Sequence, residues 1–140
     1  MIAVKARPYQ LHVIRLVPGE GVRESLETWC AANTIEAACI VSAVGSLTQA
    51  HLRFGGKDEG TMVRGDLEVC ACSGTLSRHG LHLHLAVSDG EGRMTGGHLL
   101  AKSLVRTTLE LVVHELGGVI MERRADLVTG YQELFPISTP

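Results

Sequence analysis

Three of the seven histidines stand in a pattern that suits metal binding. His82 and His84 are two residues apart, and His98 follows His84 by fourteen positions. Alternate residues of a β-strand point to the same face and lie about 6.6–7 Å apart, so two imidazoles at this spacing can converge on one ion. With His98 as the third ligand, the set matches protein sites that hold a metal by three side chains and leave one position open.

The residues around the histidine pair predict a strand with one apolar face. Leucine or valine occupies positions 81, 83, 85 and 87, and the two histidines alternate with them. Asp89-Gly90 is a turn signal after this strand. Gly96-Gly97 directly precede His98, and glycine permits close backbone approach. We therefore expect the returning chain to bring His98, on a tightly turned segment, beside the pair.

Imidazole ligands suit zinc, and zinc is the expected metal, although nickel, copper and iron(II) share this preference. The other four histidines are scattered. His12 and His114 lie on predicted strands, where partial burial with a hydrogen bond is the expected role, and His51 and His79 lie near loops. The four cysteines lack the paired spacing of a zinc ribbon and are expected to be buried apolar thiols. No nucleophile elbow, P-loop or dinucleotide fingerprint occurs, so nucleophilic catalysis has no support.

Length and composition indicate one domain over residues 1–140, with 45% hydrophobic and 20% charged residues. The net charge of −2 gives no general attraction to nucleic acid. The first residues lack the apolar core of a signal peptide, and no apolar run is long enough to cross a membrane. We expect a cytoplasmic protein without a membrane partner.

The apolar pattern predicts an α+β fold with a mainly antiparallel sheet of about seven strands and one amphipathic helix. Hairpin-length connections favour antiparallel pairing. The helix is expected over residues 22–32 and a turn-containing tail over 126–134. The predicted strands cover residues 9–16, 37–44, 47–54, 62–72, 81–88, 107–115 and 119–122.

These segments together resemble the plants-and-prokaryotes conserved (PPC) domain over nearly the whole chain. Prokaryotic members are single domains, and plant members carry an additional AT-hook. The stretches that carry the resemblance are Arg15-Leu16-Val17-Pro18-Gly19-Glu20, Val44-Gly45-Ser46-Leu47, Leu52-Arg53, Gly65-Asp66-Leu67-Glu68-Val69, Ser73-Gly74-Thr75, His82-Leu83-His84, Gly90, Gly96-Gly97-His98-Leu99 and Thr129-Gly130-Tyr131.

The resemblance implies a homotrimer whose prokaryotic members hold a metal at the positions of His82, His84 and His98. It does not imply DNA binding, although that label is often attached to prokaryotic members, because the chain has no Arg-Gly-Arg-Pro core for an A·T minor groove. DNA is therefore not an expected partner.

Two functions follow from these observations. The first is a trimeric metal protein of hydrolase or lyase type, in which the open position activates water or takes a small ligand. Arg53 would then orient an anionic ligand and Glu68 would transfer a proton. Glu110 is a further candidate for a general base. The second is a DNA-associated or protein-interaction regulatory module in which the metal is structural or absent.

Overall fold

Eight strands and one helix follow one another in this computed structural model, which describes residues 1–140. No helix has the length and hydropathy needed to span a bilayer. The elements are β1 (Arg7–Leu16), α1 (Val22–Ala32), β2 (Ala38–Arg53), β3 (Thr61–Ser77), β4 (Gly80–Ser88), β5 (Met94–Leu99), β6 (Leu104–Gly117), β7 (Val119–Ala125) and β8 (Gln132–Ser138).

The main sheet contains six antiparallel strands in the order β1-β6-β2-β3-β4-β5. The end of β2 also pairs with β5, with Leu52 opposite Leu99 and Arg53 opposite His98. Strands β2, β3, β4 and β5 therefore form a closed circuit, and β5 has a neighbour on both sides. This closure brings the end of β2 to the strands that carry the histidines.

The hydrophobic core lies on the face of the sheet that α1 covers. The helix buries Val22, Leu26 and Cys30, which recur at intervals of four residues and so form one stripe. Strand β4 contributes the buried leucines that alternate with the histidines, with Leu83 and Leu85 at most 2% exposed. The predicted alternation is confirmed: the leucine face of β4 is fixed in the core, and its histidine face points outward.

Three strand predictions need correction. Residues 37–44 and 47–54 were expected as two strands, but they form the single strand β2, because Gly45 pairs on both sides, with Val69 and Leu109. His98 lies within the strand β5 and not on a tight turn. Strand β8 begins within the expected tail, and because β5 and β8 are added while two predicted strands merge into β2, the chain has eight strands and not seven.

The last two strands form a separate two-stranded sheet that lies against β3. The Ser77 hydroxyl donates to the Met121 carbonyl at 2.7 Å, and the Arg123 guanidinium donates to the Thr75 hydroxyl at 2.7 Å. We call residues 119–138 the C-terminal hairpin. These contacts hold it beside the part of β3 that pairs with the histidine strand.

Candidate metal centre

The three predicted histidines come together on the outward face of β4 and β5. His84 is directly opposite His98, and His98 is in turn opposite Arg53 on β2. Directly opposed residues of antiparallel strands point to the same face. One row across three strands therefore carries Arg53, His98 and His84, and His82 stands next to this row on β4.

The imidazole rings are close enough to share one ion. The Nε2 atoms of His82 and His84 are 3.3 Å apart, and one nitrogen from each of the three rings falls within 4.8 Å of the others. The ring centroids are separated by 5.1–5.8 Å. No other group of three or more histidine, cysteine or carboxylate side chains has such an arrangement.

Two glycines allow the strands to approach closely enough to place these rings. A Cβ atom on Gly97 would lie 2.7 Å from the Arg53 carbonyl oxygen, so any other residue would push β5 away from β2. Gly74, at φ +143°, faces β4 at a point where a Cβ would overlap the His82 carbonyl. The sequence indicated the first of these glycines as a close-approach position. It indicated Gly74 as a break or bulge, whereas β3 continues through this residue to Ser77.

The protein environment keeps two of the histidines in the neutral form that binds metal. Partial burial, followed by the charge of Arg53, lowers the pKa of His98 to about 4. Burial lowers the pKa of His82 as well, with a further contribution from the neighbouring His84. A neutral imidazole has a free lone pair. These rings are therefore available as ligands at neutral pH without first losing a proton.

Two recesses open on opposite sides of the His82–His84 pair. The first, of about 350 Å³, also contains His98, Arg53 and Tyr131. The second, of about 280 Å³, lies between β3 and the C-terminal hairpin. It is lined by Ser73, Gly74, Thr75, His82, His84, Arg123, Glu133 and Leu134. A metal on the histidines would therefore be reachable from both sides.

Of the other predicted residues, only Arg53 lies at this site. Glu68 is exposed on β3, where Arg106 binds it at 3.2 Å. It is opposite Ser88, four residues along β4 from His84, which corresponds to about 14 Å. Within one chain, Glu68 therefore lies apart from the histidines. Glu110 is exposed on β6, opposite Arg15, and lines neither recess.

The C-terminal hairpin contributes residues to the site that no pattern in the sequence indicated. The ring of Tyr131 lies under the Arg53 guanidinium at 5.0 Å. Arg123 and Glu133 form the wall of the second recess. Tyr131 belonged to one of the stretches that carry the family resemblance, but nothing gave it a role. Arg123 stands among other charged residues in the sequence, so its pattern is that of an ordinary solvent-exposed residue.

The residues present fit a divalent metal of the borderline class. Three imidazoles are the ligand set of open catalytic zinc sites, and no carboxylate or thiolate joins them. Cys70 is exposed, contrary to the expectation of buried thiols, but Cys30 and Cys72 are buried, and burial raises their pKa values to about 12 and about 11. They therefore remain protonated thiols, which are poor metal ligands.

Comparison with known proteins identifies the family. Residues 4–117 match the model of the Plants and Prokaryotes Conserved (PCC) domain, the family called PPC above. The chain is also 40% identical over 125 residues to the bifunctional protein GlmU of Synechococcus sp. strain JA-3-3Ab. That match covers 89% of this chain and 20% of GlmU, so the chain spans about a fifth of the length of this relative.

Two solved structures share the fold over nearly their full lengths. A hypothetical protein from Salmonella enterica is 42% identical with a TM-score of 0.89, and the match covers 98% of this chain and 97% of that one. The metal-containing protein AF0104 from Archaeoglobus fulgidus is 25% identical with a TM-score of 0.83, over 96% of this chain and 99% of its own.

Proposed function

Because this chain belongs to the Plants and Prokaryotes Conserved domain family, we propose that it is a homotrimeric protein that holds one divalent metal, zinc by preference, on His82, His84 and His98. The observation that carries the proposal is the convergence of three ring nitrogens within 4.8 Å. The similarity to a metal-containing protein from Archaeoglobus fulgidus supports it.

A metal at this site keeps an open position. Three protein ligands leave a tetrahedral ion one position for water or a small ligand, and the two recesses give access to it. When bound, such a metal supplies a Lewis acid that polarises an oxygen and lowers the pKa of water. This chemistry is that of a hydrolase or lyase.

The fold positions the three histidines without help from a metal. The leucines of β4 lock the backbone in the core and fix the His82 and His84 side chains on one face. The pKa of His98, lowered to about 4 by burial and then by the charge of Arg53, leaves this ligand unprotonated at neutral pH. The ligands therefore need only small movements to bind, and little ordering opposes binding.

The trimer is supported by an unpaired apolar edge of the main sheet. Tyr9, Leu11 and Val13 alternate on the face of β1 that points away from the core, and they are 61–84% exposed. A contiguous apolar patch on an edge strand is typical of a surface that another chain covers. We propose that copies of this chain meet at this edge.

Sedimentation of a charged variant tests the trimer. Leu11→Arg introduces a cation into the apolar edge and is expected to shift the protein from trimer to monomer. The control is Leu127→Arg, at a fully exposed position on the C-terminal hairpin, which should sediment as the wild type. A wild-type monomer, or a Leu11→Arg trimer as stable as the wild type, would contradict the proposal.

Metal analysis tests the site itself. Protein purified without a histidine tag should contain about one divalent ion per chain by mass spectrometry, because three imidazoles bind such ions tightly. His82→Ala and His98→Ala should lose most of it. His79→Ala is the control, since this residue lies between β3 and β4, pairs with Glu36 at 2.9 Å and lines neither recess. Wild-type content well below one ion, or equal loss in the control, would overturn the proposal.

A further inference from the structure

Arg53 differs from the other arginines around the histidines, because its guanidinium has no polar partner in the protein. Arg23 is paired with Glu27 at 2.8 Å, and Arg123 donates to Thr75. Arg53 forms no ion pair or hydrogen bond through its side chain, and its guanidinium lies over the ring of Tyr131. A guanidinium carries five N–H donors in a fixed fork, so a half-buried one without an acceptor is ready to bind a ligand.

The fork of Arg53 lines the same recess as the three histidines. Its position opposite His98 in the β2–β5 pairing places both side chains on one face. Among the residues of this recess the formal charges are those of Arg53, Lys57 and Asp58. The net formal charge of these residues is therefore positive before any metal is added. Neutral imidazole ligands leave the charge of a bound divalent metal uncompensated, which increases this positive charge.

We propose that the recess binds a small oxyanion, a carboxylate or a phosphate, whose oxygens pair with the fork of Arg53 beside the histidines. This inference rests on the proposed metal site and names the ligand class of that site. Guanidinium pairs with these two groups through two parallel charge-assisted hydrogen bonds. The volume of about 350 Å³ is in the range of pockets for small molecules.

Tyr131 is the positioning residue for this fork. Its ring, 5.0 Å from the guanidinium carbon, attracts the cation and limits its orientations. Tyr131 lies on the C-terminal hairpin, beyond the residues 4–117 that match the family model. The anion-binding fork of Arg53 and the metal ligands therefore lie within the matched residues, whereas the ring that orients the fork comes from outside them.

Titration calorimetry with simple anions tests the inference. Inorganic phosphate and malonate are the probes, and neutral malonamide is their control, each with metal-loaded and metal-free protein. At least one anion should bind the wild type. The anion with the higher affinity shows whether the recess prefers a phosphate or a carboxylate. Arg53→Met should weaken it about tenfold to hundredfold, the loss expected for hydrogen bonds to a charged group.

Arg124→Met is the matched control for Arg53→Met. Arg124 also lies over an aromatic ring, that of Phe135, at 3.6 Å, but it is paired with Glu122 and lines neither recess. Its replacement should leave anion binding unchanged. Tyr131→Phe keeps the aromatic face and should retain the wild-type affinity, whereas Tyr131→Ala should weaken it about twofold to fivefold.

Metal content is measured on the same samples to separate the two proposals. A full metal complement with no binding of either anion, or with equal binding by Arg53→Met, overturns the anion site and leaves the metal site standing. Arg53-dependent binding by a protein that takes up no metal overturns the metal proposal and supports the anion site. A loss of trimer in Arg53→Met would show that the guanidinium pairs with another copy of the chain, which also overturns the anion site.

Discussion

Replacing Gly97 with alanine would place a methyl group where the backbone of β2 already lies. The new Cβ would stand 2.7 Å from the Arg53 carbonyl oxygen, about 0.7 Å closer than the 3.4 Å at which ordinary contact begins. A backbone oxygen held in a strand cannot turn away as a flexible side chain can. The strands β2 and β5 must therefore separate, and overpacking of this kind costs about 1–3 kcal/mol of unfolding free energy.

The same separation moves His98, which follows Gly97 directly. A displaced ligand or supporting residue typically lowers metal affinity by about tenfold to hundredfold. We expect Gly97→Ala to show both effects, in urea denaturation of the metal-free protein and in competitive zinc titration. Gly90→Ala is the matched control, because no atom lies within 4 Å of its added Cβ. If the two variants agreed within about 0.5 kcal/mol and bound zinc equally, the close-approach argument would be refuted.

Three further predictions concern the thiols, acid stability and the distant carboxylate. At pH 8 a thiol reagent should label the exposed Cys70 in the folded protein but not Cys30 or Cys72, whose buried thiols have pKa values raised to about 12 and about 11; rapid labelling of all three would contradict this burial. The unfolding free energy of the metal-free protein should fall as the pH drops from 6.5 towards 4. In this range His98 binds a proton in the unfolded chain, whereas in the folded protein its pKa is lowered to about 4 and it stays neutral. In the variant His98→Asn that fall should be smaller, and an identical pH dependence would contradict the role of this residue. Glu68→Gln should leave zinc affinity and anion affinity unchanged, since its carboxylate binds Arg106 far from the histidines, and a tenfold loss in either titration would place it at the site after all.

The helix and the histidine face of β4 could be predicted because one local pattern determines each. Periodicity placed the helix at residues 22–32, the bounds that the structure gives. Strict alternation placed leucines inward and His82 and His84 outward, and the fold keeps this arrangement because a shift of one residue would expose the leucines to water. Both patterns are local, because the residues that form each of them are close together in the sequence.

The remaining features depend on contacts between distant segments. Gly96 and Gly97 have low strand propensity, so β5 could not be recognised until its pairing with both β2 and β4 was known. Strand β8 was missed for a similar reason, since Pro136 argues locally against a strand. Neither Arg123 nor Tyr131 could be assigned to the site, because only the packing of the C-terminal hairpin against β3 places them there.

X-ray absorption at the metal edge of zinc-loaded protein tests the central claim most directly. Coordination by His82, His84 and His98 predicts three imidazole nitrogens at about 2.0–2.1 Å, with their multiple-scattering signature, and one further light atom. The spectrum of His98→Ala should lose one imidazole contribution. Sulfur scattering at about 2.3 Å, or a wild-type spectrum unchanged by the loss of His98, would contradict a metal held by these three histidines.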